Sequence, residues 1–402
     1  MTAARFLTLA LIACVPLAQA AERGGKVLRQ LGERAQQTHA SSMVVLRDGK
    51  VVAEYYASGT DPGPIELMSA TKSVVALGAG LLMRDGKVPS LDVPVHQFYP
   101  EWKQGRKEII TLRMLLSHTS GLQDEQTTER IYAAPDFVQF ALAADLAAEP
   151  GERVFYSNKA TNLLPSLIGK AAGVPAKRYF DEQLFAPLGI GAVAWDTDTV
   201  GNLQGMAGLK LSARDAAKIG QLIVQEGRWN EQQVVPAGYI LEMLNPSDSK
   251  AEEFGLLWFR QPSWIHLRAD RESFELLRAL QVDPLLIGKL QKLDGRSFDR
   301  PETFVDALAS VLDRGELAAL YEQLHAQGRG PYVAFHLEIG PIAAYRAEGY
   351  LGQYIVIVPQ ANIVGVRLIE DSDAYRDEDA YEDFPELILD YAKAVAPKRI
   401  PK

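Results

Sequence analysis

Ser69 and Lys72 stand three residues apart at the head of an apolar run, Val74 to Met83, in the stretch Met68-Ser69-Ala70-Thr71-Lys72-Ser73-Val74. If that run is helical, residues three apart share a face, and the Lys72 amine can reach the Ser69 hydroxyl. A hydroxyl is a weak nucleophile until a base takes its proton, and an amine does so once burial lowers its pKa. The helix N-terminus adds positive potential, which favours the neutral amine and a developing oxyanion. The pair therefore supplies a nucleophile and a base. The same spacing recurs at Ser247-Asp248-Ser249-Lys250, but Asn245-Pro246 ahead of it reads as a solvated loop.

A second polar group lies at Phe155-Tyr156-Ser157-Asn158. On an extended segment, residues two apart point the same way, so the Tyr156 phenol and the Asn158 amide can enter one site. The phenol can share a proton with Lys72, and the amide can orient a substrate carbonyl. The competing reading of this stretch is a surface loop. His118, in Ser117-His118-Thr119-Ser120-Gly121-Leu122, suggests a Ser-His-Asp triad, against the simpler reading of a turn histidine bonded to backbone. No Gly-x-Ser-x-Gly elbow occurs in the chain, which removes the usual setting for such a triad.

These residues must be positioned by a chain of 402 residues, long enough for one large domain or two average ones. Residues 1 to 20 read as an export signal: Arg5, the apolar stretch Phe6 to Leu17, then Ala18-Gln19-Ala20 as a cleavage site. Export predicts a periplasmic or secreted protein. The lone cysteine, Cys14, lies inside that leader, so a mature chain starting at Ala21 has no disulfide, Cys-ligated metal or Cys nucleophile. Leu11-Ile12-Ala13-Cys14 also has the form of a lipoprotein box, with Cys14 as the alternative lipidated end. No later apolar run reaches the ~18 residues of a membrane span. Removing Arg5 makes the formal charge of −9 more negative still, a surface that repels nucleic acid.

Met43-Val44-Val45-Leu46, an Asp48-Gly49 turn and Val51 to Tyr56 predict a hairpin, covered by a helix over Ala21 to His39. Further helices are predicted at Thr111 to Leu116, Asp136 to Ala147, Ala160 to Ala172, and Ala213 to Glu226 with Ser212 as cap. The stretch Gly205-Met206-Ala207-Gly208 matches no phosphate-binding pattern. Strands are predicted at Phe254 to Phe259, Ile355 to Val358 and Ile363 to Leu368.

The order of these segments resembles the serine β-lactamase and penicillin-binding-protein family, in its class C β-lactamase and esterase branch. The resemblance rests on four stretches: Ser69-Ala70-Thr71-Lys72; Leu115 to Leu122; Pro150-Gly151-Glu152 leading to Tyr156-Ser157-Asn158; and Gly208-Leu209-Lys210-Leu211-Ser212-Ala213-Arg214-Asp215. It covers about 41 to 260 and 343 to 370. It implies an α/β (α+β) fold with a mixed, mainly antiparallel sheet flanked by helices, plus a mostly helical lobe. It also implies Ser69 as acylated nucleophile, Lys72 and Tyr156 as coupled proton carriers, Asn158 as a substrate contact, and neither cofactor nor metal.

The family's third motif, usually Lys-Thr-Gly or His-x-Gly, corresponds to Ala347-Glu348-Gly349 and lacks the cation. Arg346 is one residue away, which in a strand puts it on the other face. Gly349 would let a substrate approach the backbone, and the Tyr350 N–H would join the Ser69 N–H as an oxyanion hole. In relatives the cation holds a β-lactam or D-alanine carboxylate. Its absence points to a neutral small-molecule ester, amide or peptide, as in the esterase and 6-aminohexanoate-dimer-hydrolase members. A true β-lactamase or D-alanyl-D-alanine carboxypeptidase is the alternative enzyme, and a catalytically silent cell-wall peptide-binding protein the alternative outside enzymes. The hydrolase domain is set at 21 to 402. Its insertion at about 260 to 341, with helices at Arg271 to Val282, from Pro301 towards Gly315, and Glu316 to Gln327, is either a lid or a surface appendage.

Overall fold

The hairpin opens a six-stranded sheet. In the computed structural model, which describes residues 4–125, 127–191, 193–246, 253–326, 332, 335–372 and 375–401, β1 (Ser42–Arg47) pairs antiparallel with β2 (Lys50–Tyr56). Asp48 and Gly49 both take positive φ, 52° and 72°, which suits the tight twisted turn that Asp-Gly favours. With β3 (Phe259–Pro262), β4 (Ile342–Gly349), β5 (Gln353–Val358) and β6 (Ile363–Leu368), the order is β2-β1-β6-β5-β4-β3. The inner strands β5 and β6 are buried along their whole length, and their Val/Ile runs fit a sheet covered on both faces.

Helix α1 (Ala4–Gln37) closes on the C-terminal α5 (Phe384–Val395). Arg34 Nη2 meets Asp383 at 2.7 Å, and the Tyr381 hydroxyl donates to Leu31 O at 2.9 Å. The side chains of residues 4–19 lie outside the described set. Among the described residues no helix is long and apolar enough to cross a membrane.

The helix that carries the chemistry is α2 (Thr71–Arg84), buried from Thr71 to Leu82. A helix apolar on every side belongs inside a domain. Its glycines make that possible: a Cβ at Gly78 would run into Ile168 and Phe180, and one at Gly80 into Tyr239. Helix α3 (Asn158–Ala172) begins on Ser157, whose hydroxyl accepts the Ala160 N–H at 3.1 Å, and ends on Gly173 with φ 76°. Helix α4 (Ala213–Val224) begins on Ser212 and lays Gly220 against Val364, Ile355 and Ile357 of the sheet.

Several expectations shift. The Asp136 helix runs only Phe137–Leu142, because Leu146 pairs with Leu122 instead of continuing it. The expected strand Phe254 to Phe259 starts where it was to end; Leu257 has φ 58°, outside any strand geometry. Asn158 is the first residue of α3, so Tyr156 and Asn158 do not share one extended segment.

Residues Pro262–Ala343 form a second compact unit, two residues inside the expected 260 and two beyond 341. It is less purely helical than expected. Ser297–Phe298, Ile265–Arg268 and His336–Ile339 make a three-stranded sheet, beside helices Arg271–Ala279, Pro284–Leu290, Pro301–Ala309 and Arg314–Ala326. Their own core gathers Phe274, Leu277, Leu290, Phe304, Leu308, Leu320 and Phe335. The Pro301 helix stops at Ala309, short of Gly315, and Pro284 opens a helix the sequence pattern did not show. Ser247 to Lys250 lie outside the described residues.

Candidate active site

Ser69 sits in a 3-10 turn, Met68–Ala70, that runs directly into α2. The turn is pinned from both sides. Leu67 N donates to Leu209 O at 2.8 Å, and Leu209 N donates to Thr71 Oγ1 at 3.3 Å. Ser73 Oγ donates to Leu257 O at 2.5 Å, and Trp258 Nε1 donates to Ser73 O at 3.1 Å. Met68 is held at φ 48°, a conformation that costs a residue with a Cβ about 1–2 kcal/mol. Such strain persists only where the surroundings over-determine it.

Lys72 Nζ lies 3.0 Å from Ser69 Oγ and donates to Met206 O at 2.8 Å. Burial pushes the lysine pKa down to about 7, against a smaller opposing pull from Asp124. Near neutral pH a large fraction of Lys72 is therefore the free amine.

The Met206 carbonyl is itself held in place. Asn162 Oδ1 accepts the N–H groups of Gly205 and Met206 at 2.9 and 3.0 Å. Pro165 of α3 has no N–H to give the carbonyl of Thr161, four residues earlier, and Gly205 packs so closely on that oxygen that a Cβ could not fit. Neither Asn162 nor Met206 carries a sequence signal of its own; a proline inside α3 was the one clue available.

Tyr156 lies under the amine, with Lys72 Nζ 4.8 Å from its ring centroid. Its ring is partly open to solvent, but the surroundings of its hydroxyl are buried, and burial pushes its pKa up to about 12 against an opposing effect of Ser69. His118 supports it from the other side, ring centroids 4.7 Å apart. His118 Nδ1 accepts the Ser157 N–H at 3.1 Å, so this histidine is the turn residue bonded to backbone, not a triad member. Burial first, then the nearby Lys72, push its pKa down to about 3, which keeps it neutral. The Asn158 side chain makes no hydrogen bond among the described residues, to Ser69, Lys72, Tyr156 or any other group.

Gly349 has a role beside the one its sequence suggested. A Cβ there would collide with Leu67 O and lie 3.1 Å from Ala70 N, so the bare backbone makes room for the Ser69 turn itself. Tyr350 follows in the 3-10 turn Tyr350–Gly352 and is 69% exposed. Neither the Ser69 N–H nor the Tyr350 N–H has a backbone acceptor among the described residues. Ala347, at the place of the family's cation, is fully buried. Arg346 pairs with Glu348 at 2.9 Å and covers the Phe259 ring at 5.1 Å, on the strand face opposite Ala347 and Gly349.

Among the described residues, no group of three or more His, Cys, Asp or Glu is placed to hold a metal. The arrangement holds groups that acyl transfer can use: a hydroxyl within reach of an amine whose pKa lies near 7, a phenol that keeps its proton, and two N–H groups without a backbone acceptor among the described residues.

A family model described as Beta-lactamase matches residues 25–387. The 6-aminohexanoate-dimer hydrolase of Paenarthrobacter ureafaciens is 26% identical over 238 residues, 54% of this chain and 60% of that relative, so the chain matches less than two thirds of its length. A class C β-lactamase structure aligns with TM-score 0.54 at 18% identity, covering 93% of this chain and 96% of its own. A penicillin-binding protein homologue from Pyrococcus abyssi aligns with TM-score 0.56 at 20% identity, covering 94% and 78%. At these identities the two structures speak for the fold alone.

Proposed function

On the premise that this chain belongs to the β-lactamase family of serine hydrolases, we propose that it cleaves a neutral ester or amide through an acyl-enzyme on Ser69. The observation that carries this reading is the buried Lys72 amine 3.0 Å from Ser69 Oγ. Ser69 Oγ attacks the substrate carbonyl carbon while its proton passes to Lys72 Nζ. The N–H groups of Ser69 and Tyr350 receive the oxyanion, an interaction worth roughly 3 kcal/mol per donor. When the C–O or C–N bond breaks, the leaving group takes a proton through Lys72 and Tyr156. Water then attacks the ester carbonyl and gives a proton to Lys72; the acyl–Oγ bond breaks as Oγ takes that proton back, which frees Ser69 and returns Lys72 to the amine.

The two pKa shifts support a division of roles. With its pKa near 12, Tyr156 holds its proton at neutral pH and is the donor, whereas Lys72 near 7 is the base. Asn158, at the head of α3 and without a side-chain hydrogen bond among the described residues, is left to contact substrate. The missing cation favours substrates without the carboxylate of a β-lactam or D-alanine terminus. Residues 1 to 20 are proposed as a cleaved leader that sends the protein to the periplasm or outside the cell.

Intact-mass spectrometry after incubation with a panel of p-nitrophenyl esters, linear amides, cephalosporins and D-alanyl peptides tests this reading. An acyl adduct from neutral substrates, lost in Ser69→Ala, is expected. Faster acylation by cephalosporins or D-alanyl peptides would transfer the assignment to a β-lactamase or carboxypeptidase. No adduct from any of them would leave a binding protein. N-terminal sequencing of the exported protein should begin at Ala21; a lipidated Cys14 would instead show the lipoprotein route.

A further inference from the structure

A fully buried arginine with no carboxylate bound to it is costly unless its donors are otherwise satisfied. Arg367, on β6 opposite Tyr354, is such a residue. Its Nη1 donates to Leu351 O at 2.5 Å and to Gly352 O at 2.9 Å. Its Nη2 donates to Thr38 O at 2.9 Å and to Asp379 O. Thr38 follows the last turn of α1, where the helix presents its negative end. All four acceptors are backbone carbonyls, and two of them belong to the turn that follows Gly349.

That turn needs holding. Leu351 sits at φ 69° and Gly352 at φ 77°, two successive left-handed residues of which only the second is a glycine. A Cβ at Gly352 would strike Ala380 O and stand 2.9 Å from Arg367 Nη1, so the carbonyls, the guanidinium and the 380 segment are packed without slack. Gln353, next in line, is tied in turn: its Nε2 donates to Ile369 O at 2.7 Å and its Oε1 accepts Ile369 N–H at 3.0 Å.

We propose that Arg367 is a positioning residue for acyl transfer: by gripping the carbonyls of Leu351 and Gly352 it fixes the Tyr350–Gly352 turn so that the Tyr350 N–H faces the oxyanion formed at Ser69. The inference rests on the acyl-enzyme reading above. Arginine suits the task because its planar fork offers several donors at once, while a lysine ammonium reaches fewer acceptors and in another geometry.

The test compares Arg367→Lys, Tyr350→Pro and the double variant in the full-length protein, with active sites counted by fluorophosphonate titration. Tyr350→Pro removes the N–H itself at the first position of its turn, where proline is tolerated. Arg367→Lys is expected to lower kcat per titrated site about 10- to 100-fold with KM changed little, and to weaken an alkyl boronate in proportion. In the double variant the losses should not multiply, because both act through one donor. Guanidinium ion added to Arg367→Ala should restore part of kcat. Normal kcat per titrated site in Arg367→Lys, with only a lower thermal midpoint, would overturn the proposal, as would losses that multiply in the double variant. Should Arg367→Lys give no folded protein, the guanidinium-supplemented Arg367→Ala, prepared in its presence, decides by the same kcat per titrated site. Labelling of Ser69 that persists alongside any of these outcomes shows that the acyl-enzyme reading itself survives.

Discussion

The two turns that meet at Gly349 solve the same problem with different basic side chains. Both carry a left-handed residue other than glycine, Met68 at φ 48° and Leu351 at φ 69°. Each is backed by a buried basic side chain that donates to backbone carbonyls, Lys72 to Met206 and Arg367 to Leu351 and Gly352. Burial lowers both pKa values, to about 7 for Lys72 but only to about 10 for Arg367. At neutral pH the amine can therefore give and take a proton, while the guanidinium keeps its charge. One turn sets a titratable amine 3.0 Å from the Ser69 hydroxyl, and the other is gripped by a guanidinium that stays charged.

Removing the proton carrier should have the largest effect. Lys72→Met is expected to cut kcat/KM by at least a thousandfold. It should also raise stability, because a lysine whose pKa falls on folding destabilises the native state wherever it is charged in the unfolded chain. That penalty is full below about pH 7 and fades as pH rises towards 10.5, on the order of a few kcal/mol at most. Thermal melts of both proteins across pH 6 to 10 should converge at the alkaline end. In the unmodified protein, kcat/KM should rise through about pH 7 and then stay level to beyond pH 10, since Tyr156 titrates only near 12. A fall between pH 8 and 10 would take the donor role away from Tyr156.

Weakening what supports the phenol should cost less. His118→Leu removes the acceptor of the Ser157 N–H and the ring against Tyr156, and should lower kcat roughly 10- to 100-fold. His118→Asn, which tolerates the left-handed backbone at φ 58° and keeps an acceptor, should recover part of it. Because the buried His118 stays neutral down to about pH 3 while an unfolded histidine charges near 6.5, it makes the protein less stable as pH falls through that window. Urea melts of His118→Asn should show a shallower loss of stability between pH 6.5 and 3.

Asn162→Ala would leave the Gly205 and Met206 N–H groups without their acceptor, at about 1–3 kcal/mol each, and should show chiefly as a lower thermal midpoint. Arg346→Ala should change activity least, within about threefold, since its partner is Glu348 on the far face of β4; its stability cost should be about 1 kcal/mol. A marked rise in KM for anionic esters alone in Arg346→Ala would show that this arginine does serve as the carboxylate anchor.

Local chemistry was legible in the sequence wherever a short stretch contains its own partners. The Asp48-Gly49 turn, the Ser212 and Thr111 caps and the reach of Lys72 to Ser69 all follow from contacts within a few residues. Periodicity fails where a distant pairing ends an element, as Leu122 does for the Asp136 helix, or where a side chain finds its partner across the fold. Nothing near Lys72 in the chain announces the Met206 carbonyl, 134 residues away, and nothing near Gly349 announces that its missing Cβ receives the Ser69 turn. The sequence by itself determined which groups can exchange a proton. Only the tertiary structure decided how firmly each holds its proton, because desolvation is a property of the packed surroundings and not of the four residues that carry the motif.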